Sequence, residues 1–249
     1  MSITSLVKAL PRPIKNILRR LYNIWRLRLI VDNKIVDEVS EYYELSRKET
    51  MRLMKSGRQL NADLWRAFHP KSDQEKNEFY EFTPFYIFEL LCWHMQRDQR
   101  NFRNAIVEAA HGEVLDFGGG SGDLTAKLAE VGLSVTYADV HGKTFDFAKW
   151  LFKKRKLSVK MVNLSKDRLG GKYDTIICID VIEHVPDPKE TLYMIVSLLN
   201  RGGSLIITNL EVEEILETHP MHNKVDFGAE EYLASHGFIR EKPWLWVKK

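Results

Sequence analysis

Cysteine is scarce in this chain: Cys92 and Cys178 are its only two, far apart and each among apolar neighbours. A disulfide framework is therefore not what holds the fold, and two buried thiols in a reducing compartment fit the pattern. No apolar run is long enough to span a bilayer, and the early arginines and prolines do not read as a secretory signal. An excess of one charge is missing too. Lys and Arg number 37 against 34 Asp and Glu, for a net charge of +3, so the electrostatic footprint of a general nucleic-acid binder is absent. Internal repeats and low-complexity tracts are also lacking. What remains is a soluble, cytoplasmic protein. Its 249 residues, 44% hydrophobic, suffice for a sizeable core, either as one large domain or as a domain with an added lobe.

Glycine is unevenly spread. Up to Ala110 the chain has few glycines, many long charged side chains and many aromatics, and residues 1–110 read as a helical lobe. From 111 to 249 short β-rich runs alternate with helical stretches. Strands are expected at 113–117, 134–139, 158–162, 173–180 and 203–208, with helices over about 123–131, up to about 154, and 188–199. Alternation of this kind implies a parallel sheet with helices on both faces, and nearly continuous apolar runs such as Thr175 to Ile179 fit strands buried on both sides. After a helix over about 229–236, residues 238–241 and 244–247 flank Lys242-Pro243. They predict an antiparallel pair at the sheet edge.

The first strand runs into Asp116-Phe117-Gly118-Gly119-Gly120-Ser121-Gly122, and a helix follows. Glycine permits a sharp turn and close approach of a ligand to the backbone, and the helix N-terminus beyond presents free amides. Asp139 ends the second strand, 17 positions after Gly122, where a carboxylate can accept from both hydroxyls of a ribose. Together they read as a site for a nucleoside-containing cofactor. The glycine spacing is tighter than the dinucleotide pattern G-x-G-x-x-G. It resembles the acidic-x-Gly-x-Gly-x-Gly motif of class I S-adenosylmethionine methyltransferases. The resemblance continues through Asp139, through Asp180-Val181-Ile182-Glu183-His184-Val185-Pro186-Asp187-Pro188, and through Leu199-Asn200-Arg201-Gly202-Gly203-Ser204-Leu205.

That resemblance implies a Rossmann-like, mostly parallel seven-stranded sheet preceded by the helical lobe, with S-adenosylmethionine as cofactor. Asp116, Gly118, Gly119, Gly120 and Gly122 would face the methionine end. Asp139, with Val140 beside it, would take the ribose, and Asn163 and Leu164 would flank the adenine. Asp180 and Val181 would lie beneath the sulfonium. The family often has Asp where Asn163 stands, but an amide can still accept from the adenine amino group.

If the chain turns helical after the fourth strand, Asp180, Glu183 and His184 share a face. Three readings are open. Glu183 and His184 organise the loop; or His184 is a general base for an acceptor hydroxyl or amine; or Asp180, Glu183 and His184 hold a divalent ion. The segment resembles the Glu-His-Val-Pro stretch of quinone-biosynthesis O-methyltransferases, in which such an ion can bind. His219 and His222 form a second candidate cluster on the acceptor side, either catalytic or part of a plain polar loop. In the lobe, residues 13–29 alternate apolar and basic positions at helical spacing. They suit packing on the protein or peripheral contact with an anionic membrane. The aromatic run from Phe79 to Tyr86, with Trp93 and His94 after it, serves either as a lid over the cofactor or as core. The expected reaction is methyl transfer to a small-molecule acceptor, with oxygen preferred over nitrogen or carbon. An RNA or protein methyltransferase, or a regulatory module that binds the cofactor without chemistry, are the alternatives. The Asn/Asp-Pro-Pro-aromatic motif of base-amine methylation is missing after the fourth strand, which argues against a nucleic-acid substrate. Oligomeric state has no signature in the sequence.

Overall fold

The computed structural model describes residues 30–213 and 220–249. The amphipathic 13–29 segment and His219 lie outside the described residues.

Five helices come first: α1 (Asn33–Tyr42), α2 (Arg47–Phe68), α3 (Asp73–Phe82), α4 (Tyr86–His94) and α5 (Arg97–Ala109). Their starts are written in the sequence. Asp32 caps α1, and Ser46 with Glu49 and Ser72 with Glu75 form reciprocal capping boxes at α2 and α3, each satisfying amides that lack helical partners. The second region runs β1 (Glu113–Phe117), α6 (Asp123–Glu130), β2 (Ser134–Asp139), α7 (Lys143–Lys154), β3 (Lys160–Asn163) and β4 (Tyr173–Cys178). A single 3₁₀ turn (Ile182–His184) leads to α8 (Pro188–Ser197), β5 (Leu199–Ile207), α9 (Ala229–Ser235), β6 (Phe238–Lys242) and β7 (Leu245–Lys248).

The seven strands form one sheet in the order β3-β2-β1-β4-β5-β7-β6. The first five are parallel, and β7 inserts antiparallel between β5 and β6. The fold expected from the strand–helix alternation is thus the one observed. Alternate side chains of the central strands enter different cores. Leu115, Ile176 and Leu205 pack with Leu192 and Ile195 of α8, whereas Val114, Ile177 and Ile206 pack with Ile106 of α5 and Leu124 of α6. Strand boundaries differ from expectation. β3 starts at Lys160, β5 starts at Leu199, four residues early, and β4 stops at Cys178, shortly before Asp180 takes a positive φ of 54° and turns the chain out of the sheet.

The change of texture near Ala110 is not a break in packing. Ile35, Val36, Met54, Ile87 and Leu91 from the first helices share one core with Phe147, Ala148 and Leu151 of α7. Arg155 clamps the same seam through Glu38 at 2.7 Å and Glu130 at 3.0 Å. No helix among the described residues is long and apolar enough to cross a membrane.

Chain order reverses between β1 and β4, and the crevice at their carboxyl ends is where open α/β sheets bind ligands. Gly122 lies behind it, packed against α7. Its φ is +71°, and a Cβ there would stand 2.8 Å from both Ala148 Cβ and Phe152 Cζ. Gly122→Ala combines left-handed strain with overpacking, so it should lower stability by about 2–4 kcal/mol, read as a shift of the urea midpoint. A variant as stable as the parent would refute this packing role.

Candidate active site

The crevice holds two cavities that meet at Gly118, Tyr86 and Asp180. Gly118 sits at their junction with φ +71°, and a Cβ on it would lie 2.3 Å from Val181 Cγ2. Only glycine lets the end of β1 rest against the turn that follows β4.

The first cavity contains Asp139, Val140, Thr144 and Leu164 on one wall, and Tyr80, Val181 and His184 on the other. Asp139 accepts from Gly120 N at 2.6 Å and from Val140 N at 2.7 Å, which fixes its carboxylate and leaves lone pairs for the cavity. Burial raises its pKa to about 6. Gly120 therefore holds the carboxylate in place and lines neither cavity. Asn163 departs from the expected adenine contact. Its side-chain oxygen accepts from Ser165 N at 3.0 Å, and it does not line the cavity. The local turn uses the amide that adenine would have needed, while Leu164 does line the cavity.

The second cavity contains Asp116, Gly118, Gly119, His94 and Arg103. Asp116 is buried and accepts from the Thr125 hydroxyl, and burial raises its pKa to about 6. Arg103 Nη2 and Ser121 Oγ both donate to Asp123 Oδ1, at 2.9 and 2.7 Å, and His94 Nδ1 lies 2.9 Å from the same oxygen. Burial alone would raise the Asp123 pKa, but the Arg103 guanidinium and the His94 and Ser121 bonds hold it well below the usual range. The Arg103 Nε is buried with no partner. A carboxylate at one side and a guanidinium with a spare donor at the other complement an ammonium and a carboxylate, the two ends of an amino-acid head group. Gly122, expected at this end, faces α7 instead and lines neither cavity.

Where the cavities join, Asp180 and Glu183 are bridged by Asn209. Asn209 Nδ2 donates to Asp180 Oδ1 at 3.1 Å and to Glu183 Oε1. The chain after β4 forms a 3₁₀ turn in place of the expected α-helix, so Asp180, Glu183 and His184 do not form one face. Asp180 turns toward Thr208 and Asn209. The group that does converge is Glu183, His184 and His222, with possible ligand atoms within 4.8 Å of one another. Asn223 brings His222 there, donating from its backbone N to Glu183 O at 2.7 Å and from its side chain to Val185 O at 3.0 Å. The His184 and His222 rings meet edge to face at 4.6 Å. Burial lowers the His222 pKa. Glu183 is 1% exposed, its Oε2 has no partner, and burial together with the Asp180 charge raises its pKa to about 8.

Arg103 and Asn209 lie in no motif and escape sequence reading. Asp123 directly follows the glycine turn, and the aromatic run before β1 did mark Tyr80 and Tyr86 as a candidate lid.

A doubly wound sheet with a glycine turn, a ribose-ready carboxylate and an amino-acid-ready pocket defines an α/β protein that binds an amino-acid-bearing nucleoside. Residues 93–235 match the family described as methyltransferase domain. The chain belongs to that family. It is 29% identical over 102 residues to a ubiquinone biosynthesis O-methyltransferase of Erwinia tasmaniensis, covering 39% of this chain and 42% of that one. It is 32% identical over 108 residues to the protein of the same name in Xanthomonas euvesicatoria pv. vesicatoria, covering 42% and 45%. The match thus spans less than half the length of these relatives. The solved structure of an O-methyltransferase family protein from Burkholderia thailandensis shares the fold, with a TM-score of 0.52 and 15% identity over 71% of this chain and 60% of that one. Family and fold agree with the class I S-adenosylmethionine methyltransferase resemblance of the motifs. The cofactor this implies fits the two joined cavities.

The raised pKa of Glu183 gives a stability test. The native state keeps the proton up to about pH 8, whereas the unfolded chain releases it near 4.3. Stability contributed by the protonated group is complete below the unfolded value and declines as pH rises toward 8. Glu183→Gln mimics the protonated form, so wild type should lose stability relative to it between about pH 5 and 8 and run parallel above. Thermal unfolding across that range reads the difference; parallel curves throughout would rule out a protonated Glu183.

Proposed function

We propose that this protein transfers a methyl group from S-adenosylmethionine to a hydroxyl oxygen of a small aromatic acceptor, with His184 as the general base. The observation that carries this reading is the position of His184. It lines the first cavity on the wall facing Asp139 and Val140, with Tyr80 and Tyr86 lining the same space. The bound cofactor supplies an electrophilic methyl on a cationic sulfur. The chain's residues do the rest. Asp139 and Val140 hold the ribose, Asp116 and Arg103 hold the amino-acid end, and Asp180 places negative charge beside the junction. Tyr80 and Tyr86 exclude water and offer flat surfaces to an aromatic ring. His184 accepts the proton that leaves the acceptor hydroxyl, so that the oxygen attacks as the stronger nucleophile. The names of the ubiquinone biosynthesis relatives support an oxygen acceptor and a place in small-molecule biosynthesis. Two unpaired cysteines support a reducing, cytoplasmic setting.

A second reading has its own observation. The unpartnered buried Oε2 of Glu183 lies in the cluster with His184 and His222. One carboxylate and two imidazoles suit a divalent transition ion, which would supply Lewis acidity to the acceptor oxygen. In that case Glu183, His184 and His222 would hold the ion.

The test is methyl transfer to a panel of phenols and catechols, read by mass spectrometry of the product. His184→Ala should lower kcat by about 10²–10⁴ and leave cofactor affinity unchanged, whereas Asp139→Ala should weaken cofactor binding. Loss of activity with a chelator, restored by a divalent ion, selects the metal reading. Undiminished activity after chelation selects the base. Cofactor binding without transfer to any hydroxyl acceptor would overturn both.

A further inference from the structure

Tyr80 lies 104 residues before His184 in sequence, yet its hydroxyl oxygen is 2.8 Å from His184 Nδ1. The two rings are nearly perpendicular, 87° apart with centroids at 5.7 Å. The tyrosine belongs to α3, and the loop that follows β2 seats this helix. Gly142 carries no Cβ where one would stand 3.0 Å from Tyr80 O and from Glu81 Cα, and His141 Nδ1 lies 3.2 Å from Glu81 Oε1. Asp139 and Val140, the ribose positions, begin the same loop. On its far side the Tyr80 ring packs against Tyr86, with centroids at 5.4 Å. His222 closes on the other edge of His184.

A neutral imidazole has two tautomers, and the hydrogen bond at one nitrogen sets the state of the other. If Nδ1 carries the proton and donates it to the Tyr80 oxygen, Nε2 presents a lone pair. If Tyr80 donates to Nδ1, Nε2 carries the proton and cannot accept another. We propose that Tyr80 is a positioning residue that accepts from His184 Nδ1–H, holding the imidazole in the tautomer whose Nε2 is unprotonated. This pairing is made only while α3 is seated on the His141–Gly142 loop. The inference rests on His184 being the group that acts on the acceptor. It adds that the group is assembled from two regions, and that the loop holding the ribose also seats the helix that carries Tyr80. Seating of the cofactor wall and orientation of the base then become one structural event.

Tyr80→Phe keeps the ring and removes only the hydroxyl. On the wild-type background kcat should fall about 10–100-fold, the usual effect of removing an outer partner of a functional histidine, while the cofactor dissociation constant stays within about twofold. The fall should vanish on the His184→Ala background, since residues that act through one another do not add. Nitrogen-15 NMR of the imidazoles gives a readout that needs no acceptor. In the wild type His184 should be the Nδ1–H tautomer, and Tyr80→Phe should mix the two. Gly142→Ala, which pushes on the α3 backbone and leaves the Tyr80 hydroxyl in place, should mix them as well. A wild-type His184 protonated at Nε2 overturns the inference. So does a Tyr80→Phe loss that persists undiminished without His184, because the tyrosine would then be merely structural. If no acceptor is ever methylated, the functional reading fails, and the tautomer measurement still decides the role of Tyr80.

Discussion

The close approach of two chain turns, at the ends of β1 and β4, is the constraint on which the site depends. Gly118 and Val181 come so near that a single methyl group between them would overlap. That contact brings the glycine turn, beside Asp116 and Asp139, against the turn that carries Asp180, Glu183 and His184. It also explains why Asp180 leaves the strand at positive φ and why Asn209, at the end of neighbouring β5, does the same at 58°. Strained backbone at such junctions persists only where packing enforces it. Here Asn209 bonds both Asp180 and Glu183, and the bridge ties the turn after β4 to the chain that leaves β5.

Charge follows from that geometry. Asp116 and Asp139 come from adjacent parallel strands, and each is pushed upward in pKa by burial, to about 6. Glu183 is pushed further. Buried carboxylates short of partners are costly unless something neutralises them. A cationic ligand with an ammonium group and a ribose offers those partners. Asp123 shows the contrast. It is equally buried, yet Arg103, His94 and Ser121 satisfy it within the chain, and its pKa falls. Asp123 is therefore neutralised within the chain, whereas the bonds to Asp116 and Asp139 come from a hydroxyl and from backbone amides, and both carboxylates line the cavities.

What the sequence disclosed follows the range over which its signals act. The sheet was legible because strand periodicity and helix caps are local, and the terminal antiparallel pair was legible from its spacing. Asp139 and the Gly118 turn were legible because one βαβ unit encloses them. Asn163 was misplaced because a neighbouring amide, that of Ser165, competes for its oxygen, and residue identity carries no sign of such competition. Gly122 was misplaced because a glycine that admits a ligand and a glycine that admits a helix look alike in sequence. Grouping Asp180 with Glu183 and His184 assumed a helical spacing that the 3₁₀ turn does not keep. Two neighbours of His184 come from distant segments: His222, held by Asn223, and Tyr80 of α3. No local pattern links those two segments.

The same reasoning locates the acceptor problem. Cofactor residues lie on strands and turns of the sheet, whose geometry hydrogen bonding fixes. The wall facing His184 is supplied by α3 and α4, whose places are set by contacts across the chain: the Gly142 approach for α3 and the core shared with α7 for α4. A helix held by side-chain packing can shift by fractions of an ångström when its contacts change, whereas the end of a central strand cannot. Tyr80 and Tyr86 are therefore the positions at which changes of sequence alter the space facing His184, and Tyr86, which lines both cavities, reaches the Asp116 pocket as well. The space facing His184 and the Asp139 wall are nonetheless coupled, because the loop that begins at Asp139 also seats the helix that carries Tyr80.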